Sequence, residues 1–366
     1  MSNVSKLPGR RVFTAALAVV LITAFTAGAV QANEQPHPFK GDRTVTVMAR
    51  NIYLGADLTP AFTATSELGF LLAVGGVYQQ AIASNFPDRA AAIAGEIDST
   101  QPMLVGIQEA TVWSSGAAFD PAPATNVEAD FVDLILDELA ALGLSYERVA
   151  VAPGFDGEFP TLLGKDVRMQ VSDVILARTD LKTADLKILG THTGSYQTFL
   201  ELPTVIGPIA FPRQWAAVDV KVRGLTFRFV STHLEAFAPP IRQAQAIELL
   251  AAHAGRGVPT IYAGDFNAQP GTGDAADILL AEGLVDTWVV ANPGDLGYTS
   301  GQAADLRNEV SELDHRIDLV LTEGPFTVIA AQRVGHLAAD KTPSGLWPSD
   351  HAGVVTTLAL FPPGRS

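Results

Sequence analysis

The sequence predicts an α/β fold, and three observations support that prediction. Short runs rich in β-branched residues alternate with longer segments rich in Ala and Leu, as expected when strands and helices share one core. A two-residue turn signal joins two of the short runs, which favours a mixed sheet over a purely parallel one. No linker, repeat or low-complexity tract interrupts residues 41–362, so we expect one large domain over that range.

The first 32 residues are set apart from this domain because they are typical of a signal peptide. Lys6, Arg10 and Arg11 form a basic start without any acid, residues 12–30 are uncharged and apolar, and residues 30–32 (VQA) suit a signal peptidase. We expect cleavage after Ala32 and a secreted or periplasmic mature protein. An uncleaved membrane anchor is the alternative, since the apolar run approaches the length of a bilayer span. The arginine pair leaves both the general and the twin-arginine export routes open.

The predicted elements follow from hydrophobic periodicity. The predicted strands are residues 44–48, 103–107, 171–177, 216–222, 225–232, 260–263, 317–321 and 354–360. The predicted helices are residues 87–99, 126–142, 241–253 and 274–282. Arg223 and Gly224 separate two of the strands, and we expect them to form the turn of an antiparallel hairpin.

Composition limits the chemistry that the chain can perform. It contains no cysteine, which excludes thiolate catalysis and a cysteine zinc site. The formal net charge is -15, and removal of the basic leader would make the remainder more negative still. This charge does not favour binding to nucleic acid, although a local basic groove or a bound divalent cation would reverse the field where it matters.

The segment 262–271 (YAGDFNAQPG) carries the strongest chemical signal. An apolar strand ends in Gly264 and is followed by Asp265 and Asn267, two oxygen-bearing side chains two positions apart. A period of two places both on one side of an extended chain and turns Phe266 into the core. Taken alone, the same pattern also fits an ordinary Asx-rich turn.

Further fragments follow the same plan, because each places a polar side chain at a predicted strand terminus. These side chains are Asn51, Glu109, His233, Asp318, Asp350 and His351. Strand termini on a rigid scaffold can aim such groups into one shared cleft. The carboxylate and amide oxygens among them suit Mg²⁺ or another hard divalent ion rather than zinc.

In this order and at these positions, the fragments resemble the DNase I-like endonuclease/exonuclease/phosphatase superfamily. That superfamily includes deoxyribonucleases, abasic-site endonucleases, inositol-polyphosphate phosphatases and bacterial neutral sphingomyelinases. The resemblance covers roughly residues 44–360. It implies a four-layer α/β sandwich, in which two packed mixed sheets are flanked by helices on both outer faces.

The resemblance also implies a metal site. Asn51 and Glu109 would hold the principal ion, and Asp350 would assist. Asp265 and Asn267 would position the nucleophilic water and the phosphate oxygens. The expected cofactor is Mg²⁺, with Mn²⁺ or Ca²⁺ as alternatives.

The same resemblance assigns acid–base roles to two histidines. His351 matches the family's general base, and Asp318 matches the carboxylate that orients it. His233 matches a second histidine that hydrogen-bonds the phosphate or assists the leaving oxygen. The remaining histidines match no motif and are interpreted as structural or surface residues: His192, His253, His315 and His336.

One predicted strand departs from the family pattern. In several nuclease members, the strand that matches residues 171–174 carries a Tyr, a Glu or a basic residue that contacts the phosphate or the second histidine. Here only Arg168 and Asp173 are nearby candidates. This difference weakens the expectation of nuclease-like substrate handling.

Two apolar segments, residues 68–78 and 202–215, bear on substrate choice. Exposed near the cleft, either segment could make transient contact with lipid or a membrane surface. The alternative, which we favour, is that both pack on the core as a helix and a hairpin.

These observations together predict an exported, monomeric, Mg-dependent phosphoric ester hydrolase. Its substrate would be a small or lipid-borne phosphate ester, cleaved as a phosphodiesterase or a phosphatase would cleave it. An extracellular endonuclease and a non-catalytic binding protein of the same fold are the alternatives. The substrate itself stays open, because specificity resides in loops.

Overall fold

A computed structural model of the protein describes residues 43–360. The predicted leader, residues 1–32, lies outside the described residues, as do residues 41–42 and 361–362 at the ends of the predicted domain. None of the helices within the described range has the length and apolarity needed to cross a membrane.

The first of two large sheets has seven strands and contains both termini of the described chain. Its strands are β1 (Thr44–Asn51), β2 (Leu104–Ala117), β3 (Asn126–Asp130), β4 (Tyr146–Pro160), β5 (Lys165–Arg178), β14 (Phe326–Val334) and β15 (Gly353–Leu360). The order is β14-β15-β1-β2-β5-β4, and β3 pairs with β2. Because β1 and β2 are parallel while β1 and β15 are antiparallel, this sheet is mixed, as predicted.

The second large sheet has six strands and follows the same mixed plan. Its strands are β6 (Lys187–Ser195), β9 (Gln214–Val222), β10 (Leu225–His233), β11 (Thr260–Asp265), β12 (Val285–Asp286) and β13 (Asp318–Glu323). The order is β12-β13-β11-β10-β9-β6, with β10 and β11 parallel. A separate hairpin is formed by β7 (Leu200–Thr204) and β8 (Gly207–Phe211).

Seven α-helices lie between these strands in the described range. They are α1 (Thr59–Phe62), α2 (Glu67–Ala83), α3 (Phe86–Thr100), α4 (Phe131–Ala141), α5 (Pro239–His253), α6 (Ala275–Ala281) and α7 (Thr287–Ala291). A short 3₁₀ turn covers Ala338–Asp340.

Three buried clusters show how these elements stack. The two sheets pack face to face through residues such as Val47 of β1 and Phe229 of β10. Helices α2, α3 and α4 cover the other face of the seven-stranded sheet, where Ile93 packs in one cluster with Met48. Helices α5 and α6 cover the other face of the six-stranded sheet. The four-layer sandwich is therefore confirmed.

The predicted hairpin at Arg223 and Gly224 is also confirmed. Val222 of β9 faces Leu225 of β10, which leaves a two-residue connection. Both turn residues have positive φ, 47° and 91° respectively. This is the conformation that a type I′ turn requires, and its twist matches that of the flanking strands.

The helix predicted over residues 126–142 is wrong at its N-terminal end. Residues 126–130 form β3, and the helix begins only at Phe131. Asp130 ends the strand and caps the helix, because its carboxylate accepts hydrogen bonds from the backbone N–H groups of Val132 and Asp133.

The two apolar segments form the helix and hairpin that we favoured. Residues 68–78 belong to α2, which buries Phe70, Val74, Val77 and Tyr78 against the first sheet. Residues 202–215 contribute to β7, β8 and the start of β9, but the core packing predicted for this segment is wrong, because the β7–β8 hairpin is half-exposed and residues 211–213 line a cleft. Contact with lipid stays a prediction.

Candidate active site

All eight predicted site residues converge at one end of the sandwich. Six of them line a cleft of about 340 Å³, in the size range of small-molecule sites: Glu109, His233, Asp265, Asn267, Asp350 and His351. The other two, Asn51 and Asp318, are buried directly behind it and bond to residues that line it.

Glu109 reaches the cleft from a bulge rather than from a strand end. The predicted strand end at Glu109 is wrong, because β2 continues to Ala117. Its pairing with β5 shifts register between Ile107 and Ala110, and Glu109 has a φ of 57°. A bulge re-aims a side chain out of the sheet, and a left-handed non-glycine residue costs about 1–3 kcal/mol, which the surrounding structure must offset.

A close network joins Asn51 to two carboxylates. Its Nδ2 donates to Oε1 of Glu109 at 3.2 Å and to Oδ2 of Asp265 at 3.1 Å. The backbone N–H of Tyr53 donates to Oδ1 of Asn51 at 2.9 Å, and that of Leu54 to Oε2 of Glu109 at 2.6 Å. These bonds hold the oxygen atoms of three different elements in one place.

Asp265 and Asn267 reach the same cleft, as predicted, but not through strand alternation. Strand β11 ends at Asp265, and Asn267 has a φ of 49°. The backbone N–H of Asn267 donates to Oδ1 of Asp265 at 2.8 Å, which forms an Asx turn. Gly264 is required just before them, because a Cβ there would lie 2.0 Å from the carbonyl oxygen of Thr232. Phe266 is fully buried, as predicted.

His351 forms a buried pair with Asp318. Nδ1 of His351 lies 2.7 Å from Oδ2 of Asp318, so Nδ1 carries a proton and Nε2 is the acceptor whenever the ring is neutral. Nε2 faces the Asp265 and Asp350 carboxylates, each at 3.9 Å, and the hydroxyl of Ser300 at 3.3 Å. Burial alone would lower the pKa of His351, but Asp318 and the two other carboxylates outweigh it and hold the pKa well above its usual value.

His233 lies in the opposite electrostatic environment. Nη1 of Arg213 is 3.1 Å from Nδ1 of His233, and burial followed by this cation holds the pKa of His233 well below its usual value. Because Arg213 donates to Nδ1, the neutral ring carries its proton on Nε2. That N–H can donate to Oδ2 of Asp265 at 3.4 Å, whereas Nδ2 of Asn267, at 3.0 Å, is itself a donor and cannot accept from it. His233 is therefore a neutral ring directed at the cleft.

Arg213 is the site residue that the sequence did not reveal. The sequence nominated Arg168 and Asp173 for this region, but Arg168 forms a surface ion pair with Asp156 at 2.6 Å. Asp173 is buried with both carboxylate oxygens unpaired, and burial raises its pKa well above the usual value. No motif surrounds Arg213, and the hairpin that precedes it was the only local signal.

Two buried arginines fix the loops that carry the site. Arg89 of α3 donates to the carbonyl oxygens of Pro348, at 2.9 Å, and of Ile52. Arg50 of β1 pairs with Glu96 at 2.8 Å and donates to the carbonyl oxygen of His351. The loop after β1 and the loop before β15 are thus anchored to one helix.

The donor set fits a hard divalent cation. Asp265, Asp318 and His351 each place one potential ligand atom within 4.8 Å of the others. Burial, followed by repulsion from Asp318, raises the pKa of Asp265 to about 7. Burial, together with Glu109, raises the pKa of Asp350 to about 6. Such a crowd of buried carboxylates is stabilised by a cation, and all its donors except one imidazole are oxygens.

The other histidines lie outside the cleft. His192 pairs with Asp219, and His253 is buried against Trp215 with 4.3 Å between the ring centroids. His315 is exposed beside Asp314, and His336 is half-buried. This placement agrees with their interpretation as structural or surface residues.

Comparisons with known proteins give one family match and several solved structures of similar fold. The family model described as "Endonuclease/Exonuclease/phosphatase family" matches residues 75–351. A search of curated proteins found no match. The fold resembles several solved structures, all of low sequence identity.

One is an endonuclease/exonuclease/phosphatase family protein from Bacteroides thetaiotaomicron, which is 17% identical with a TM-score of 0.54 and covers 88% of this chain and 99% of its own. Another is a mannosyl-6-phosphatase from the same species, which is 18% identical with a TM-score of 0.51 and covers 86% of this chain and 100% of its own. The human Nocturnin catalytic domain is 17% identical with a TM-score of 0.50 and covers 87% of this chain and 94% of its own. At these identities, the structures show a shared fold.

Proposed function

Because this chain belongs to the endonuclease/exonuclease/phosphatase family, we propose that it hydrolyses phosphate esters with the help of a bound divalent cation, Mg²⁺ in the first place. One observation carries the proposal. The buried Asp318–His351 pair presents Nε2 of the imidazole to a cleft that is crowded with carboxylate and amide oxygens. Export, with cleavage after Ala32, is part of the same proposal.

Asn51 and Glu109 hold the metal ion, and Asp350 assists them. The group formed by Asp265, Asp318 and His351 adjoins them, because Nδ2 of Asn51 lies 3.2 Å from Oε1 of Glu109 and 3.1 Å from Oδ2 of Asp265. Mn²⁺ or Ca²⁺ can replace Mg²⁺ in such an oxygen site. When bound, the ion supplies positive charge that offsets the charge developing on the phosphate oxygens.

His351 acts as the general base. In the neutral ring, Nε2 takes a proton from the attacking water, while Asp318 holds the proton on Nδ1 and stabilises the imidazolium that forms. Asp265 and Asn267 orient the water and the phosphate, since both line the cleft, Asp265 beside Nε2 of His351 and Asn267 beside Nε2 of His233.

His233 donates a hydrogen bond to a phosphate oxygen. Arg213 occupies Nδ1 of this ring, so the neutral ring carries its proton on Nε2, which faces Oδ2 of Asp265 and would turn its hydrogen bond to a phosphate oxygen bound in the cleft. The low pKa of His233 keeps the ring neutral, which suits hydrogen bonding to the phosphate rather than protonation of the leaving oxygen.

A nuclease activity on polymeric substrates is disfavoured by the charge of the cleft. Among the described residues that line it, Arg213 is the only lysine or arginine. Non-specific binding to DNA requires several phosphate contacts from such residues, and the chain as a whole is acidic, with a net charge of -15. A small phosphate ester can bind without several lysine or arginine contacts.

A substrate panel tests the proposal. The mature protein is incubated with Mg²⁺ and with p-nitrophenyl phosphate, bis-p-nitrophenyl phosphate, inositol phosphates, sphingomyelin and plasmid DNA. We expect hydrolysis of at least one small or lipid-borne ester, loss of activity in EDTA and recovery with Mg²⁺. Cleavage of plasmid DNA alone would favour the endonuclease, and failure to hydrolyse any ester with Mg²⁺ would support a non-catalytic binding protein.

A further inference from the structure

The cleft has an apolar side next to its polar side. Leu58, Met169 and Val171 line it together with three phenylalanine rings, Phe62, Phe155 and Phe211. All three rings are only half-buried, although rings of this size usually reach the core. Their free surface faces the same cavity as His233 and His351.

The three rings form one continuous aromatic wall. Phe155 and Phe211 are stacked, with centroids 5.1 Å apart and planes within 5° of each other. Phe62 meets Phe211 edge-on at 4.8 Å. Because α1, β4 and the β7–β8 hairpin each contribute one ring, the wall depends on tertiary structure.

The wall directly adjoins the residues proposed to bind phosphate. Phe211 precedes Arg213 by two positions, and Arg213 contacts His233. On the opposite side, Val171 of β5 pairs with Thr111, which follows Glu109 by two positions. A group attached to a phosphate in the cleft therefore lies against these side chains.

The wall offers no hydrogen bond to a sugar hydroxyl or to the edge of a nucleobase. None of its six side chains carries an N–H or O–H group that could bond to a hydroxyl or a base edge. The only cation that lines the described cleft, Arg213, is already engaged with His233. An uncharged apolar group loses no hydrogen bonds on entering such a space.

The small apolar pocket beyond the wall limits how far that group can extend in its direction. The cleft as a whole has about 340 Å³, part of which the phosphate takes. Beyond the wall lies a purely apolar pocket that shares Leu58, Phe62, Phe155 and Met169 with the cleft, but it has only about 40 Å³. The cleft has room for a phosphate and a ring, whereas the pocket beyond the wall is too small to receive the end of a long alkyl chain.

We infer that the substrate is a phosphate ester whose organic group, bound beside the phosphate, is a compact aryl group. The inference rests on the proposed function, because it places that group relative to the phosphate. Aromatic side chains prefer such partners, in stacked or edge-on contact.

Phosphonates test this inference without turnover, because their C–P bond resists hydrolysis. Methyl-, phenyl- and octylphosphonate carry the same charged group and differ only in the apolar part. Their dissociation constants are measured by calorimetry with Mg²⁺ present. We expect phenylphosphonate to bind at least about tenfold more tightly than methylphosphonate, because the ring is removed from water, and at least as tightly as octylphosphonate.

Two variants of the aromatic wall test whether its rings cause the preference for phenylphosphonate. Phe211→Ala and, independently, Phe62→Ala should reduce the phenyl-to-methyl preference several-fold. Phe119→Ala is the matched control, because Phe119 is 69% exposed and lies away from the cleft, and its preference should equal that of the wild type. Thermal unfolding of each variant shows whether it is folded before its affinities are compared.

Each outcome decides a separate question. Equal affinities for methyl- and phenylphosphonate, or a preference that both variants retain, would overturn the aryl inference and leave the phosphate site standing. Tighter binding of octylphosphonate would overturn it in favour of an extended lipid chain. Binding of none of the three would overturn both the inference and the proposed phosphate site.

Discussion

At the scale of single residues, the site contains two imidazoles with opposite electrostatics. His351 faces carboxylates, which raise its pKa, whereas His233 faces Arg213 and has a lowered pKa. A carboxylate beside an imidazole stabilises the imidazolium, so the His351 ring can take up a proton and remain protonated. The His233 ring, whose pKa is lowered, stays neutral and can only donate a hydrogen bond. The charged neighbours of the two rings, rather than their residue type, determine which histidine acts as the base and which binds the phosphate.

The role of Asp318 can be tested against a matched pair. Asp318→Asn should lower kcat, because the amide no longer stabilises the imidazolium of His351. The loss should be smaller than the roughly 10²–10⁴-fold contribution of a general base, since His351 itself remains. Asp314→Asn is the control, because Asp314 contacts His315 in the same way but on the exposed surface. Equal kcat values for the two variants would remove Asp318 from the account.

The residue scale also shows what the sequence could reveal about the site. Glu109, Asp265 and His351 were predictable because each belongs to a recognisable motif next to a strand. Arg213 was not, since it meets His233 only after β9 pairs with β10, and no local pattern records that contact. The bulge at Glu109 was equally hidden, because a register shift depends on the partner strand.

At the scale of elements, strong periodicity was informative and weak periodicity was not. Strands with continuous burial, such as β1 and β11, were predicted, although their ends were set two or three residues early. The half-exposed strands β4, β6 and β14 were missed, because none of them shows a sustained alternation of apolar and polar residues and β4 contains Pro153. The short helices α1 and α7 have too few turns to show a period.

The buried pair between β1 and α3 should be important for stability. Arg50 is fully buried and its partner Glu96 is 7% exposed. Glu96→Ala leaves a buried cation without its partner, so the free energy of unfolding in urea should fall by about 3–5 kcal/mol. Asp156→Ala, which breaks the more exposed pair with Arg168, should cost no more than about 1 kcal/mol. Similar losses in both variants would mean that the buried pair has no special role.

Helix α5 contributes a pH dependence of stability through its last residue, His253. Burial, with Arg228, Arg256 and His192, outweighs Asp219 and lowers the pKa of His253 to about 3. A histidine with a lowered folded pKa contributes stability above its unfolded pKa. That contribution is lost as pH falls, because the unfolded state binds the proton first.

We therefore expect the free energy of unfolding to fall between about pH 6.5 and 3, with a slope from this residue of at most about 1.4 kcal/mol per pH unit. His253→Phe should flatten the curve in that window, and the exposed His315→Phe should not. An unchanged slope in His253→Phe would show that His253 titrates normally in the folded protein.

At the scale of the whole molecule, the four layers explain why the site forms where it does. The parallel pairs β1–β2 and β10–β11 lie in different sheets, and their ends carry Asn51 and Asp265 to the same edge of the sandwich. The periodicity indicated an α/β protein, but the stacking of two sheets followed only from the family resemblance. Period-two patterns do not say which sheet a strand joins.

Export is a prediction about the whole chain. If the leader is cleaved after Ala32, protein recovered from the medium or the periplasm begins at Asn33. N-terminal sequencing or intact-mass measurement gives that residue directly. Recovery of the full-length chain from the membrane fraction would instead support the uncleaved anchor.

The central claim is that this cleft hydrolyses phosphate esters with His351 as the base. Its most direct test is the turnover of an accepted ester at saturating Mg²⁺ by the wild type and by His351→Ala, each checked for folding by thermal unfolding. The account predicts that the variant folds normally and turns over about 10²–10⁴-fold more slowly. A folded His351→Ala protein with wild-type turnover would contradict it.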